Sequence, residues 1–148
     1  MSTEPIHACI ERWHRQTRGE LDGGLDAILH QDCVFLSPIV FTPQRGRDIT
    51  KLYLRAAGST LADADASSEA ASLSSGSSFR YTKEIRQGHH AMLEFETEVE
   101  GKYVNGVDII SCDDNGMIVE FKVMIRPLQA INAVHAQMQA MLEQLADG

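Results

Sequence analysis

Asp108 is the residue whose setting most suggests chemistry. It stands mid-strand between Val107 and Ile109, with the alternation that turns it to the same face as Ile110. A carboxyl on an apolar strand face is costly to ionise, so its pKa is expected to rise unless a donor or a cation meets it. In its neutral form it can donate a hydrogen bond to an oxygen that gains negative charge during a reaction. The same residue fits a structural task equally well, bonded to Trp13, to a tyrosine hydroxyl or to a backbone amide and so tying sheet to helix. A raised pKa in a cleft does not by itself separate the two. The other titratable candidates are dispersed. His7, His14, His30, His89, His90 and His135 are scattered along the chain, and the adjacent pair falls at a turn where neighbouring side chains point apart, so neither a metal nor another cofactor is expected. His14 follows Trp13 on a helix and reads as solvent-exposed; His135 reads as interfacial. Cys9, Cys33 and Cys112 are odd in number, far apart and lack C-x-x-C spacing, as expected of reduced core thiols in a cytoplasmic protein.

The elements that must hold these residues can be read from periodicity. Ile6, Cys9, Ile10 and Trp13 fall at i, i+3, i+4 and i+7, which predicts a helix over Thr3–Arg18 with Pro5 in its first turn and Gly19 beyond its end. A short helix is expected over Asp22–Leu29, then a strand over Cys33–Ser37 that Pro38 ends because it cannot donate to a ladder. The chain should turn between Pro43 and Gly46 and be helical again from Arg47 to about Ala57, with Ile49, Leu52 and Tyr53 on one side. Gly58–Ser78 is nearly all Ser, Ala, Asp, Gly and Glu, with too little apolar surface to offset the entropy of ordering it, and reads as a loop or polar insertion.

From Phe79 onward the pattern is that of strands. Phe79–Ile85 alternates loosely, Gln87-Gly88-His89 turns, and Ala91–Val99 alternates cleanly, with Leu93 and Phe95 on one face and Glu94, Glu96 and Glu98 on the other. Tyr103–Cys112 and Met117–Arg126 follow, joined by Asp113-Asp114-Asn115-Gly116, where Asn-Gly predicts a primed hairpin turn. Pro127 opens a last helix whose stripe is Leu128, Ile131, Val134, Met138, Met141, Leu142 and Leu145. Helices followed by a run of hairpins predict an α+β architecture with helices packed on one face of a curved antiparallel sheet.

The 148 residues fit one domain over 1–148. With 13 Lys and Arg against 21 Asp and Glu the net charge is −8, which repels a phosphate backbone, so no nucleic-acid partner is expected. No apolar stretch approaches the ~20 residues needed to cross a bilayer, and the start of the chain lacks a basic segment followed by an apolar one. The expectation is a soluble cytoplasmic protein with no membrane partner, whose acidity favours a neutral ligand over an anionic one.

Several segments resemble a known family. They are Gly19–Leu25, Phe35-Leu36-Ser37-Pro38, Gly46-Arg47-Asp48-Ile49, Val104–Ile110 and Gly116–Pro127, and together they look like the SnoaL-like branch of the nuclear transport factor 2-like superfamily. The resemblance implies a cone-shaped α+β barrel in which a bent sheet wraps around the first helix and leaves an apolar pocket. That scaffold hosts ketosteroid isomerases, polyketide cyclases, dehydratases, epoxide hydrolases and non-catalytic modules, so fold alone does not give function. By resemblance Asp108 matches the strand carboxylic acid that stabilises an oxyanion in the isomerases. Ser37 stands where those isomerases place the Asp that moves the proton, and Trp13 stands where they place a Tyr; a serine is no base near neutrality, and an indole N–H donates but cannot accept. Gly106 stands where epoxide hydrolases require an Arg. Both mechanisms thus lack a part.

The resemblance also implies that Trp13, Phe35, Ser37, Tyr53, Tyr81, Phe95, Ile110, Phe121 and Ile125 line or plug the cone. The resulting expectation is a protein that binds a small apolar molecule and forms a homodimer through the outer sheet face. Two alternatives stand beside it. One is an isomerase-, cyclase- or dehydratase-type enzyme acting on a carbonyl compound, with Asp108 as acid or oxyanion donor and Trp13 and Ser37 orienting the substrate. The other is a non-catalytic dimerisation module.

Overall fold

The computed structural model describes residues 4–61 and 79–147. Pro5 opens α1 (Pro5–Thr17), where its missing N–H costs nothing, and the predicted stripe of Ile6, Cys9, Ile10 and Trp13 is buried. The second helix is a single turn, α2 (Leu25–Ile28), and the first strand starts earlier than expected, β1 (Leu29–Leu36). Where a turn was expected there is instead a two-residue strand, β2 (Gln44–Arg45), paired antiparallel with Val34 and Phe35. The following helix, α3 (Arg47–Leu61), runs past Ala57 through Gly58. No proline stands in that stretch, and its alanines favour helix. Its most buried side chains include Thr50 and Ala56 rather than Ile49 and Leu52, with the Thr50 hydroxyl donating back to the Gly46 carbonyl at 2.7 Å. From residue 62 to 78 the expected polar insertion lies outside the described residues.

The four remaining strands are β3 (Arg80–Gln87), β4 (His90–Val99), β5 (Lys102–Cys112) and β6 (Ile118–Arg126), closed by α4 (Leu128–Asp147). They form an antiparallel meander as predicted, but the complete sheet is mixed and open. Its order is β2-β1-β6-β5-β4-β3, with β1 lying parallel to β6 and with β2 and β3 as the edges among the described residues. Pairing between strands so distant in the chain leaves no local sequence signal.

One face of the sheet carries the core. Ala91, Leu93, Phe95 and Val99 on β4, Val104, Asp108 and Ile110 on β5, and Phe121 and Val123 on β6 are all buried there, with α1 against β3, β4 and β5 and with α3 and α4 packed on each other. The buried stripe of α4 includes Ala130, Val134 and Met138, while Leu128, expected in it, is exposed because it sits in the first turn beyond the sheet's last strand.

Two local departures from the simple alternation matter. The Asn115-Gly116 turn is not primed: only Gly116 has positive φ, Gly116 N–H donates to the Asp113 carbonyl, and Asp113 Oδ1 accepts from the N–H groups of Asn115 and Met117. Asp113 therefore organises this turn through its side chain, which holds Asn115 at negative φ. In β3 the register slips between Tyr81 and Lys83. Tyr81 pairs with Phe95, yet Glu84 pairs with Leu93, so both face the core side despite their odd spacing.

Candidate functional site

Asp108 sits in the centre of the inner sheet face, between Leu93 on β4 and Val123 on β6, with 6% of its surface exposed. The Tyr81 hydroxyl donates to Asp108 Oδ2 at 2.7 Å, and Trp13 Nε1 donates to the Tyr81 oxygen at 3.1 Å. Helix α1, edge strand β3 and central strand β5 are thereby joined by a chain of two hydrogen bonds. Burial raises the Asp108 carboxyl to about 7, and the Tyr81 bond, which favours the charged form, offsets only part of that. Burial, reinforced by the charge of Asp108, pushes Tyr81 well above its ordinary value, so its hydroxyl remains a donor wherever Asp108 titrates.

Aromatic rings surround this chain in two groups. Trp13 meets Phe121 with centroids 4.9 Å apart, Phe121 stacks on Phe35 at 6.1 Å, and Phe35 meets Tyr53 at 5.3 Å. On the other side Phe95 stacks on Phe79 at 5.1 Å, and both present to Tyr81 at near-right angles. The Trp13–Tyr81 hydrogen bond links the groups. Ile110 is buried beside them and Ile125 is packed against the same core.

Ser37 is placed differently from the rest. It follows the end of β1, and its Oγ accepts the backbone N–H groups of Ile39 and Val40, so its oxygen fixes a turn. The Trp13 indole N–H is likewise committed to Tyr81 and reaches Asp108 only through it. Both polar groups, expected to orient a substrate, are thus hydrogen-bonded within the chain. At Gly106 a Cβ would lie 2.5 Å from Phe95 Cζ and 2.7 Å from the Met124 carbonyl oxygen, so the Phe95 ring occupies the space in which a side chain from 106 would have to start.

Sequence reasoning did not place Phe79, His14 or Glu84 beside Tyr81. His14 is not simply solvent-exposed: its ring meets Tyr81 edge-on and its Nε2 lies 2.7 Å from Glu84 Oε1. Strict alternation puts Glu84 on the face opposite Tyr81; the loose pattern of Phe79–Ile85 was the trace of the bulge that brings it round. The other adjacent histidines do diverge, His89 to Asp114 and His90 to Ser111. Among the described residues no three His, Cys, Asp or Glu side chains gather in a metal-binding cluster, and no helix is long and apolar enough to cross a membrane.

The architecture is shared with solved proteins. A steroid delta-isomerase from Pseudomonas aeruginosa is 26% identical and superposes with a TM-score of 0.82, over 99% of this chain and 97% of that one. An uncharacterized protein with a cystatin-like fold from Silicibacter pomeroyi is also 26% identical, with a TM-score of 0.74 over 92% and 86% of the two chains. An NTF2-like protein of unknown function from Cytophaga hutchinsonii is 12% identical, with a TM-score of 0.56 over 88% and 97%. This is the nuclear transport factor 2-like fold. SnoaL-like proteins share it, as the resemblance in the sequence implied. No family model matches the chain, and no curated protein matches it by sequence.

Proposed function

We propose that this nuclear transport factor 2-like protein binds a small, neutral, largely apolar molecule on the inner face of its sheet, with Asp108 as the polar anchor. The observation that carries this reading is the Trp13–Tyr81–Asp108 chain, buried among aromatic rings and ending in a carboxyl whose proton is lost only near neutrality. A protonated Asp108 donates to a carbonyl or phenol oxygen of the ligand, while Tyr81 holds its other side. The likeness to a steroid delta-isomerase supports an apolar, carbonyl-bearing ligand.

Catalysis is the second reading. The raised Asp108 favours it, because a neutral carboxylic acid stabilises an enolate oxygen. The partner such chemistry needs is a base, and Ser37, at the place the resemblance assigns to one, has its oxygen tied to two backbone N–H groups. Ligand binding with Asp108 as anchor is therefore the primary reading, and isomerase-, cyclase- or dehydratase-type activity the extension of it.

The test is calorimetric titration with naphthol and with a steroid ketone at about pH 6. Saturable binding of either, weakened about tenfold or more in Asp108→Ala, is expected, a hydrogen bond to a buried acid being of that order. Absence of saturable binding for both overturns the reading. The homodimer is proposed as well: Ile85, Met124 and Tyr103 lie on the outer sheet face and each is half exposed, a surface suited to a second copy.

A further inference from the structure

The bulge in β3 leaves beside Tyr81 a pair of polar side chains that the reading above does not use. Glu84 Oε1 and His14 Nε2 are 2.7 Å apart, and each side chain is only about a quarter exposed. The second oxygen of Glu84 accepts from Arg86 Nε at 2.5 Å, and Arg86 in turn reaches Glu11 at 3.2 Å. Burial works against the charge on Glu84, but the bonds from His14 and Arg86 and the Arg86 charge outweigh it and hold the carboxyl below its ordinary range. The carboxylate is thus fixed from both sides, and through it the imidazole of His14. That ring meets Tyr81 edge-on, with centroids 5.6 Å apart and an interplanar angle of 75°.

Two consecutive residues of α1 therefore hold the same tyrosine, Trp13 at its hydroxyl and His14 at its ring. Among the described residues β3 is an edge strand, where Phe79, Phe95 and His14 present their rings to Tyr81. A side chain there keeps a fixed rotamer only if its flank is packed.

We propose that His14, held by Glu84, is a positioning residue of the Asp108 site: it fixes the Tyr81 ring so that the hydroxyl stays on Asp108. This role rests on the reading of Asp108 as the ligand's anchor. Among the described residues, the titratable and charged groups around Tyr81 are Glu11 and His14 on α1, Glu84 and Arg86 on β3, and Asp108 on β5. Of these, Asp108 accepts the Tyr81 hydroxyl. When the ring is released, Asp108 loses the bond that favours its charged form and holds its proton to higher pH.

Trp13 is the only tryptophan in the chain, and its N–H is on Tyr81, so its emission reports the state of this chain of bonds. Emission is titrated from about pH 5 to about pH 9, and the transition of Asp108 is the one absent from Asp108→Asn. Tyr81→Phe sets the full effect, an upward shift of the midpoint by about one pH unit. His14→Ala is expected to move the midpoint in the same direction by at least half as much, with His14→Phe, which keeps a ring against Tyr81, closer to wild type. Naphthol affinity should fall several-fold in His14→Ala. If that variant does not fold, Glu84→Gln, which loosens His14 while leaving its ring, serves in its place and should also move the midpoint upward.

A His14 that only packs on the helix surface would change stability and leave the midpoint alone. Wild-type midpoints in both His14→Ala and Glu84→Gln, alongside a shifted Tyr81→Phe, overturn the proposal. Shifted midpoints in a wild-type background that binds neither naphthol nor the steroid ketone overturn the ligand reading instead and leave the positioning role standing.

Discussion

At the scale of single residues, the decisive feature is a carboxyl that the fold keeps protonated up to about pH 7. Asp108 has a raised pKa in the folded protein, about 7, against an ordinary value of 3.8 in the unfolded chain. The folded state therefore binds this proton more tightly than the unfolded one. Its contribution to stability is complete below about pH 4 and is lost as pH rises through about 7. The loss expected is roughly 4 kcal/mol, an order-of-magnitude figure for a buried carboxyl. Asp108→Asn keeps an oxygen for the Tyr81 hydroxyl and carries no charge. In urea denaturation it should be the more stable protein at about pH 8, with the difference shrinking steadily toward about pH 4. A wild-type advantage that stays constant across that range would mean Asp108 is charged in the native state.

At the scale of elements, the close approach of β4 and β5 depends on a missing side chain. Phe95 and Gly106 face each other across the two strands, and the Phe95 ring lies over Gly106 to reach Phe79 and Tyr81. A methyl at 106 would meet both that ring and the Met124 backbone oxygen, and the backbone of β6 cannot move without breaking its ladder to β5. Gly106→Ala should therefore cost about 1–3 kcal/mol in urea denaturation and disturb the near-ultraviolet signal of the aromatic groups. An unchanged stability would show that Phe95 has room to shift.

The elements themselves were largely legible. The stripe of α1, the alternation of β4 and the stop at Pro38 are patterns over a few residues, and each appears where it was read. What was not legible was the slip in β3, because a bulge is fixed by the partner strand's register. His14 and Glu84 were missed for that reason.

At the scale of the molecule, the charge and the exposed surface bear on assembly. The outer sheet face pairs most of its charges internally, Arg80 with Glu96 and Lys83 with Glu94, while Arg126 donates to Asn105. On the same face Met124 is 52% exposed and Ile85 55%. Covering such a strip in a homodimer would remove apolar area from water, and a carboxylate placed in it would oppose association in a chain that already carries a charge of −8. Met124→Glu should shift sedimentation velocity from dimer toward monomer without loss of the fold by circular dichroism. A wild-type monomer would rule out this face as a dimer interface.

By itself the sequence determined the α+β class, the face each regular strand buries and the isolation of one carboxyl among apolar neighbours, because these follow from periodicities of two and 3.6 residues along a single element. The tertiary structure alone decided that β1 joins β6 in parallel, that Tyr81 and Trp13 meet that carboxyl, that Ser37 turns to its own backbone, and that His14 stands beside the site. Each of these depends on which distant strand or helix comes alongside and in what register, and a pairing energy shared between remote segments leaves no pattern within either one.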